Sequence, residues 1–395
     1  MTTEKWQVKK GPWPSHGIAS TNDDAVATAS RKIARGERLN FDDGVALLRT
    51  RDVHGLAALA NRVREERHED RTFFNRNLHL NPSNICVETC RFCAYARRRM
   101  DSKDAWRMTR EEAFEKIERD GAPPKTEVHV VGGLDPELPF DFYLQLLEGI
   151  RERAPHLHIK GFTAVEIDFF TQLTGLDHGI VLDRLIEAGL GSLPGGGVEM
   201  FSERVRKLLS VRKGSARSWL KVHHAAHERG LFSNATMLFG HIETLEERVD
   251  HLLHLRAAAD RDIQEGLEGR FRTFIPLAFH PGNSGLRMVP GPTGLDALRT
   301  YAVSRLLLDN IEHIKAYWVQ IGTEIAQTSL WWGVNDVDGT ITEERIYHMA
   351  GSEVPGALTR DALVTLIRRA GRTPVERGTL YEIIEDDCRV EEAHP

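Results

Sequence analysis

Between residues 75 and 341 the chain alternates short apolar runs of strand length with longer stretches of helical spacing, and nothing else in it limits the fold as much. Strands are predicted at 75–80, 127–131, 156–163, 191–193, 233–239, 272–276, 314–320 and 336–341. Helices are predicted at 109–120, 140–153, 178–189, 201–209, 215–229, 244–260 and 294–311. A helix between two strands returns the chain so that the strands run parallel. Seven or eight such units give an α/β protein, a (β/α)8 TIM-like barrel. Ahead of it, residues 1–22 read as a polar tail and 23–68 as an N-terminal helical extension. Asp23 and Asp24 can cap the first helix, and Leu47, Leu48, Leu56, Leu59 and Ala60 recur at helical spacing. The expected organisation is tail and helical extension over 1–70, barrel over 71–345, and a C-terminal segment packed on the barrel over 346–395.

The charge balance excludes some partners. With 52 basic and 58 acidic residues the formal charge is −6, which gives no footprint for nucleic acid. No apolar run reaches membrane-spanning length, and the first residues lack the apolar core of a signal peptide. A cytoplasmic protein that does not enter the membrane is expected.

In a barrel of this kind, active residues sit on the loops that follow the strands. The unusual residues fall there: Cys86, Cys90 and Cys93 after the first strand, and Gly132-Gly133 after the second. Gly195-Gly196-Gly197 and Glu199 follow the fourth, His241 ends the fifth, and His280 with Asn283 follows the sixth. The three cysteines are spaced C-x3-C-x2-C, and the only other cysteine is Cys388. A closed zinc site wants four ligands. Three thiolates on a [4Fe–4S] cubane leave one iron open to a small molecule. Zinc completed by a histidine such as His79 therefore stands beside the cluster as a reading. His223 and His227 are four apart on a predicted helix but lack a third ligand, and they read as packing residues.

The context of these motifs resembles a known family. Residues 77–86 with Cys93-Ala94-Tyr95, 129–139, 160–167, Leu193-Pro194-Gly195-Gly196-Gly197-Val198-Glu199, 235–243 and 275–281 are similar to the radical SAM enzymes of the futalosine menaquinone pathway and their deazaflavin-synthase relatives. Within that group the wider pattern is similar to the aminofutalosine synthases, over residues 30 to 380. Tyr95 departs from the more frequent Phe.

The resemblance implies a [4Fe–4S] cluster on Cys86, Cys90 and Cys93, and S-adenosylmethionine (SAM) consumed as a co-substrate. The 5′-deoxyadenosyl radical of SAM would add to the double bond of 3-[(1-carboxyvinyl)oxy]benzoate. The products would be 6-amino-6-deoxyfutalosine, methionine and bicarbonate or CO2. An electron donor such as flavodoxin or ferredoxin is implied. Gly132 and Gly133 would face the SAM amino group, with Gly195, Gly196 and Gly197 hugging the ligand.

For the other positions, residue chemistry leaves alternatives open. Glu199 is expected on the ribose hydroxyls, with a role near a helix N-terminus as its rival. His280, with Asn283 beside it, is expected on substrate carboxylates, and His79 with Asn81 on substrate or cluster. His241 and Glu243 would meet SAM or substrate, with Thr163 and Glu166 weaker candidates. Arg97, Arg98 and Arg99 are either carboxylate binders or a solvated run. Rival functions are the pathway's cyclase, a deazaflavin-precursor synthase, or a zinc protein without redox chemistry.

Overall fold

Apolar side chains at alternate positions, such as Leu78, Leu80, Val128, Val130, Ile159 and Ile314, turn one face of each short strand toward a layer of helices, where they are buried. The structure, a computed structural model, describes residues 24–385 apart from 211–213, 343 and 353. The expected tail over 1–22, the cap Asp23 and Cys388 lie outside the described residues. The strands are β1 Arg71–Phe74, β2 Asn77–Leu80, β3 Glu127–Val130, β4 His158–Gly161, β5 Ser192–Leu193, β6 Phe232–Phe239, β7 Phe271–Ala278, β8 His313–Ala316, β9 Asp336–Val337, β10 Thr373–Arg377 and β11 Ile383–Glu385.

β2 to β9 stand side by side in chain order, all parallel. The two ends of this row meet. The N–H of His79 donates to Thr342 at 3.0 Å, that of Thr340 to Asn75 at 3.2 Å, and that of Thr342 to Asn77 at 3.3 Å. Lys125 clamps the seam from outside, donating to the Asn77 carbonyl and to the hydroxyls of Thr340 and Thr342. The barrel expected from the sequence is therefore present.

Several elements were not in the sequence reading. β1 continues straight into β2 but pairs on β9 and β10, and β11 adds antiparallel to β10. Helices Ala164–Thr174, Trp318–Ser329 and Arg360–Arg369 were also missed. The strand predicted over 314–320 stops at Ala316, because Trp318 opens a helix and is itself fully buried. Three helices, Asp24–Ala34, Phe41–Arg49 and Val53–His68, precede the barrel. The second carries the reciprocal capping pair Asn40 and Asp43. Among the described residues no helix is long and apolar enough to cross a membrane.

Candidate active site

The inward strand positions are polar. Asn77 and His79 on β2, Glu127 and His129 on β3, Lys160 on β4, Lys315 on β8 and Asp336 on β9 alternate with the outward apolar residues. A barrel interior of this kind is ordinarily packed with branched apolar side chains. Here it holds a cavity of about 270 Å³ that runs up to the cysteine loop. Buried charge without apolar packing is costly for stability, so a polar interior of this sort points to a ligand.

Cys86, Cys90 and Cys93 all line this cavity, as do Gly132, Gly133, Gly195, Gly196 and Gly197. The cysteine loop is held by main-chain bonds from Cys86 to Arg97 at 2.8 Å and from Val87 to Leu134 at 3.0 Å. Gly133 donates to the Ser83 carbonyl at 2.7 Å. A Cβ on Gly133 would stand 2.1 Å from the Ile85 carbonyl oxygen. The close approach of two loops therefore requires a glycine at this position. Burial, with the neighbouring Cys90 and Cys86 adding to it, pushes the Cys93 thiol up to about 11. A thiolate there lacks positive charge, which bound iron would supply. Among the described residues, no three metal-ligating side chains converge as they would on one ion. Three thiols lining one hollow are the donor set that a [4Fe–4S] cubane would take, one iron to each thiolate and the fourth iron open.

Thr163 caps the helix Ala164–Thr174, and Glu166 closes a capping box with it. The Glu166 carboxylate also accepts the Gly132 N–H at 2.9 Å, tying that helix to the glycine turn. Burial outweighs these three donors and pushes Glu166 up to about 7. His79 and His129 meet edge to face at 4.8 Å between ring centres, both on the cavity wall. Burial holds both below the ordinary histidine range, so they are neutral imidazoles. The Nε2 of each is enclosed without a hydrogen-bond partner among the described residues.

Other expected residues are elsewhere. Glu199 does not line the main cavity. It is buried at φ +57° beside a small adjoining hollow with Phe92 and Arg206. The His241 side chain is fully enclosed, bonded to the Leu238 carbonyl and to Glu243. Glu243 in turn holds Arg248 at 2.7 Å, which draws this pair into the scaffold. His280 turns its Nε2 to the Gln320 carbonyl at 2.7 Å, and Asn283 is exposed and bonded to Met349. Neither of these two lines the cavity. The Asn81 amide donates to the Val131 carbonyl at 2.8 Å. Arg97 and Arg98 bond carbonyls of the cysteine loop and Arg99 pairs with Asp101, so the run braces the loop. His223 and His227 both bond Ser233, and His227 also bonds Asp262, as buried packing residues. Sequence reading missed Lys160, Lys315, His129, Tyr317, Asp338 and Tyr347 on the cavity wall.

A parallel barrel with a three-cysteine loop opening on its hollow interior is the build of a radical SAM enzyme. The family profile described as the Radical SAM superfamily matches residues 80–255, and that of the CofH/MqnC C-terminal region matches 268–389. The hydrogenase maturase HydG from Carboxydothermus hydrogenoformans shares the fold, with TM-score 0.69 and 17% identity over 91% of this chain and 81% of that one. The aminodeoxyfutalosine synthase of Thermus thermophilus is 45% identical over 93% of this chain and 98% of its own length. That of Streptomyces coelicolor is 40% identical over 90% and 93%. The chain belongs to the aminodeoxyfutalosine synthase family of radical SAM enzymes. Enzymes of this superfamily work with a [4Fe–4S] cluster and SAM.

Proposed function

We propose that this enzyme joins the 5′-deoxyadenosyl group of SAM to 3-[(1-carboxyvinyl)oxy]benzoate, giving 6-amino-6-deoxyfutalosine, methionine and bicarbonate or CO2 on the way to menaquinone. The observation that carries the reading is similarity to the Thermus synthase over 98% of its length. When bound, the cluster would supply one electron and SAM the 5′-deoxyadenosyl group. Cys86, Cys90 and Cys93 hold the cluster, and the turn at Gly132-Gly133 offers main-chain groups to SAM. The Gly195–Gly197 loop lines the same cavity two strands along the barrel, and its position is fixed by the Thr236 hydroxyl, which donates to the Gly195 carbonyl at 2.7 Å. Val131, Val165, Ile275 and Leu277 form apolar wall that keeps water from the reacting carbon. Neutral His79 and His129 keep the wall beneath free of extra charge. Flavodoxin or ferredoxin supplies the electron, in the cytoplasm.

The test is an anaerobic reaction of the reconstituted protein with SAM, dithionite and 3-[(1-carboxyvinyl)oxy]benzoate, read by mass spectrometry. A product holding both the adenosyl and the aryl unit supports the proposal. Free 5′-deoxyadenosine without adduct moves the assignment to the cyclase or another relative.

A further inference from the structure

Among the described residues, two buried ammonium groups line the cavity and no arginine does. Lys160 and Lys315 are 5% and 2% exposed. His79, His129, Lys160 and Lys315 each hold the next-to-last position of a four-residue strand. His79, His129 and Lys160 are direct register partners, so they form one layer just beneath the strand ends. The cysteine loop lies beyond those ends.

The two lysines have donors to spare. An ammonium carries three N–H bonds. Lys160 uses one on Glu127 at 2.5 Å. Glu127 has further support from Asn75 at 3.2 Å and Thr379 at 2.8 Å. Lys315 is held still more loosely. It donates one long hydrogen bond to Asp338 at 3.5 Å, and the next carboxylate oxygen, on Asp336, stands at 3.6 Å. Both carboxylates have closer partners. Asp338 takes the Gly339 N–H at 2.9 Å and the Asn77 amide at 3.3 Å, and Asp336 takes Arg377 at 2.7 Å. Burial first, and then the nearby charge of Lys315, hold Lys160 below the ordinary lysine range. An anion between them would relieve that repulsion and fill the unused donors.

We propose that Lys315 and Lys160 seat the ring carboxylate of the substrate. This rests on the reading of 3-[(1-carboxyvinyl)oxy]benzoate as that substrate. Its reacting alkene must face the cofactor at the cysteine rim, and the enol-ether carboxylate is attached to that alkene. The ring carboxylate is the end farthest from it and points into the barrel, toward the lysine layer. The seat therefore fixes depth, setting the alkene at the rim. Lys315 and Lys160 are positioning residues for the known end of the molecule.

Calorimetry on the reconstituted, SAM-loaded enzyme tests this with two probes, the substrate and 2-phenoxyacrylate, which lacks only the ring carboxylate. The wild type should bind the dicarboxylate about 100-fold more tightly, and Lys315→Met and Lys160→Met should each narrow that preference to below about 10-fold, by loss of a buried charge pair. Melting curves and cluster absorbance check that each variant is folded, and Lys315→Gln serves if Lys315→Met is not. A wild type that barely distinguishes the probes overturns the proposal, as do folded variants that keep the full preference. Failure of the parent reading is separate: it would appear as no adduct from the wild type in the mass-spectrometric assay.

Discussion

At the scale of single residues, the site depends on how closely two loops approach. Gly133→Ala would drive a Cβ into the Ile85 carbonyl, with no flexible side chain to yield. The expected result is about 1–3 kcal/mol of lost stability and low iron content after reconstitution. Denaturant unfolding and iron per chain measure the two, and normal iron content would show that the cysteine loop can give way. Glu166 makes a pH-dependent contribution. Its folded value of about 7 lies above its ordinary 4.5, so between these the folded chain keeps a proton that the unfolded chain has lost. Stability from this group is full below about pH 4.5 and is lost as pH rises through 7. The loss should be about 3 kcal/mol, and it should vanish in Glu166→Gln. Unfolding free energies of both proteins at pH 5 and pH 7.5 give the comparison; parallel changes in the two would remove Glu166 as the cause.

Among the elements, the strands explain what was legible and what was not. The apolar alternation located the eight barrel strands, and the loops after them gave the cysteines and glycines. The same alternation held the missed signal. Asn77 and His79, Glu127 and His129, His158 and Lys160, and His313 and Lys315 are polar pairs two apart inside strands, and Asp336 with Asp338 repeats the spacing across the end of β9. A parallel strand covered outside by helices can turn such residues only inward. His241 and His280 misled because a histidine just past a strand end looks the same whether it faces the cavity or bonds a neighbouring carbonyl. The Glu243–Arg248–Asp296 chain shows what that corner is for. Arg248 binds Glu243 and Asp296, each at 2.7 Å, and so fixes the long helix Leu245–Gln264 to the end of β6 and to the next helix. Glu243→Ala should cost about 3 kcal/mol, since it half-strips a buried guanidinium. Urea unfolding would report it, and a loss under about 1 kcal/mol would mean Asp296 suffices alone.

For the whole molecule, the lower end of the barrel is closed by the chain after β10. The Tyr381 ring stacks on His313 at 3.5 Å, receives Arg377 over its face at 4.1 Å, and shares a hydrogen bond with Thr273 at 2.8 Å. Nothing in the local sequence marks this segment, because a single tyrosine after a glycine gains its meaning only from the distant residues it covers. Tyr381→Ala should lower stability by about 3 kcal/mol, measured by thermal or urea unfolding. An unchanged midpoint would mean that the plug is dispensable.

The seam between the first and last barrel strands has a consequence for how the enzyme is made. Its partners are far apart in the chain: Thr340 and Asn77 are separated by 263 residues. The strand that leads into the cysteine loop is thus among the first barrel segments to leave the ribosome, yet its neighbours on one side are among the last. While the chain is still growing, that edge has nothing to pair with, and the hollow behind the three thiols has no far wall. A nascent chain therefore cannot offer a finished pocket to iron and sulfide. Cluster loading should follow release of the full chain, and the β2 edge is where an unfinished molecule is most open to mispairing.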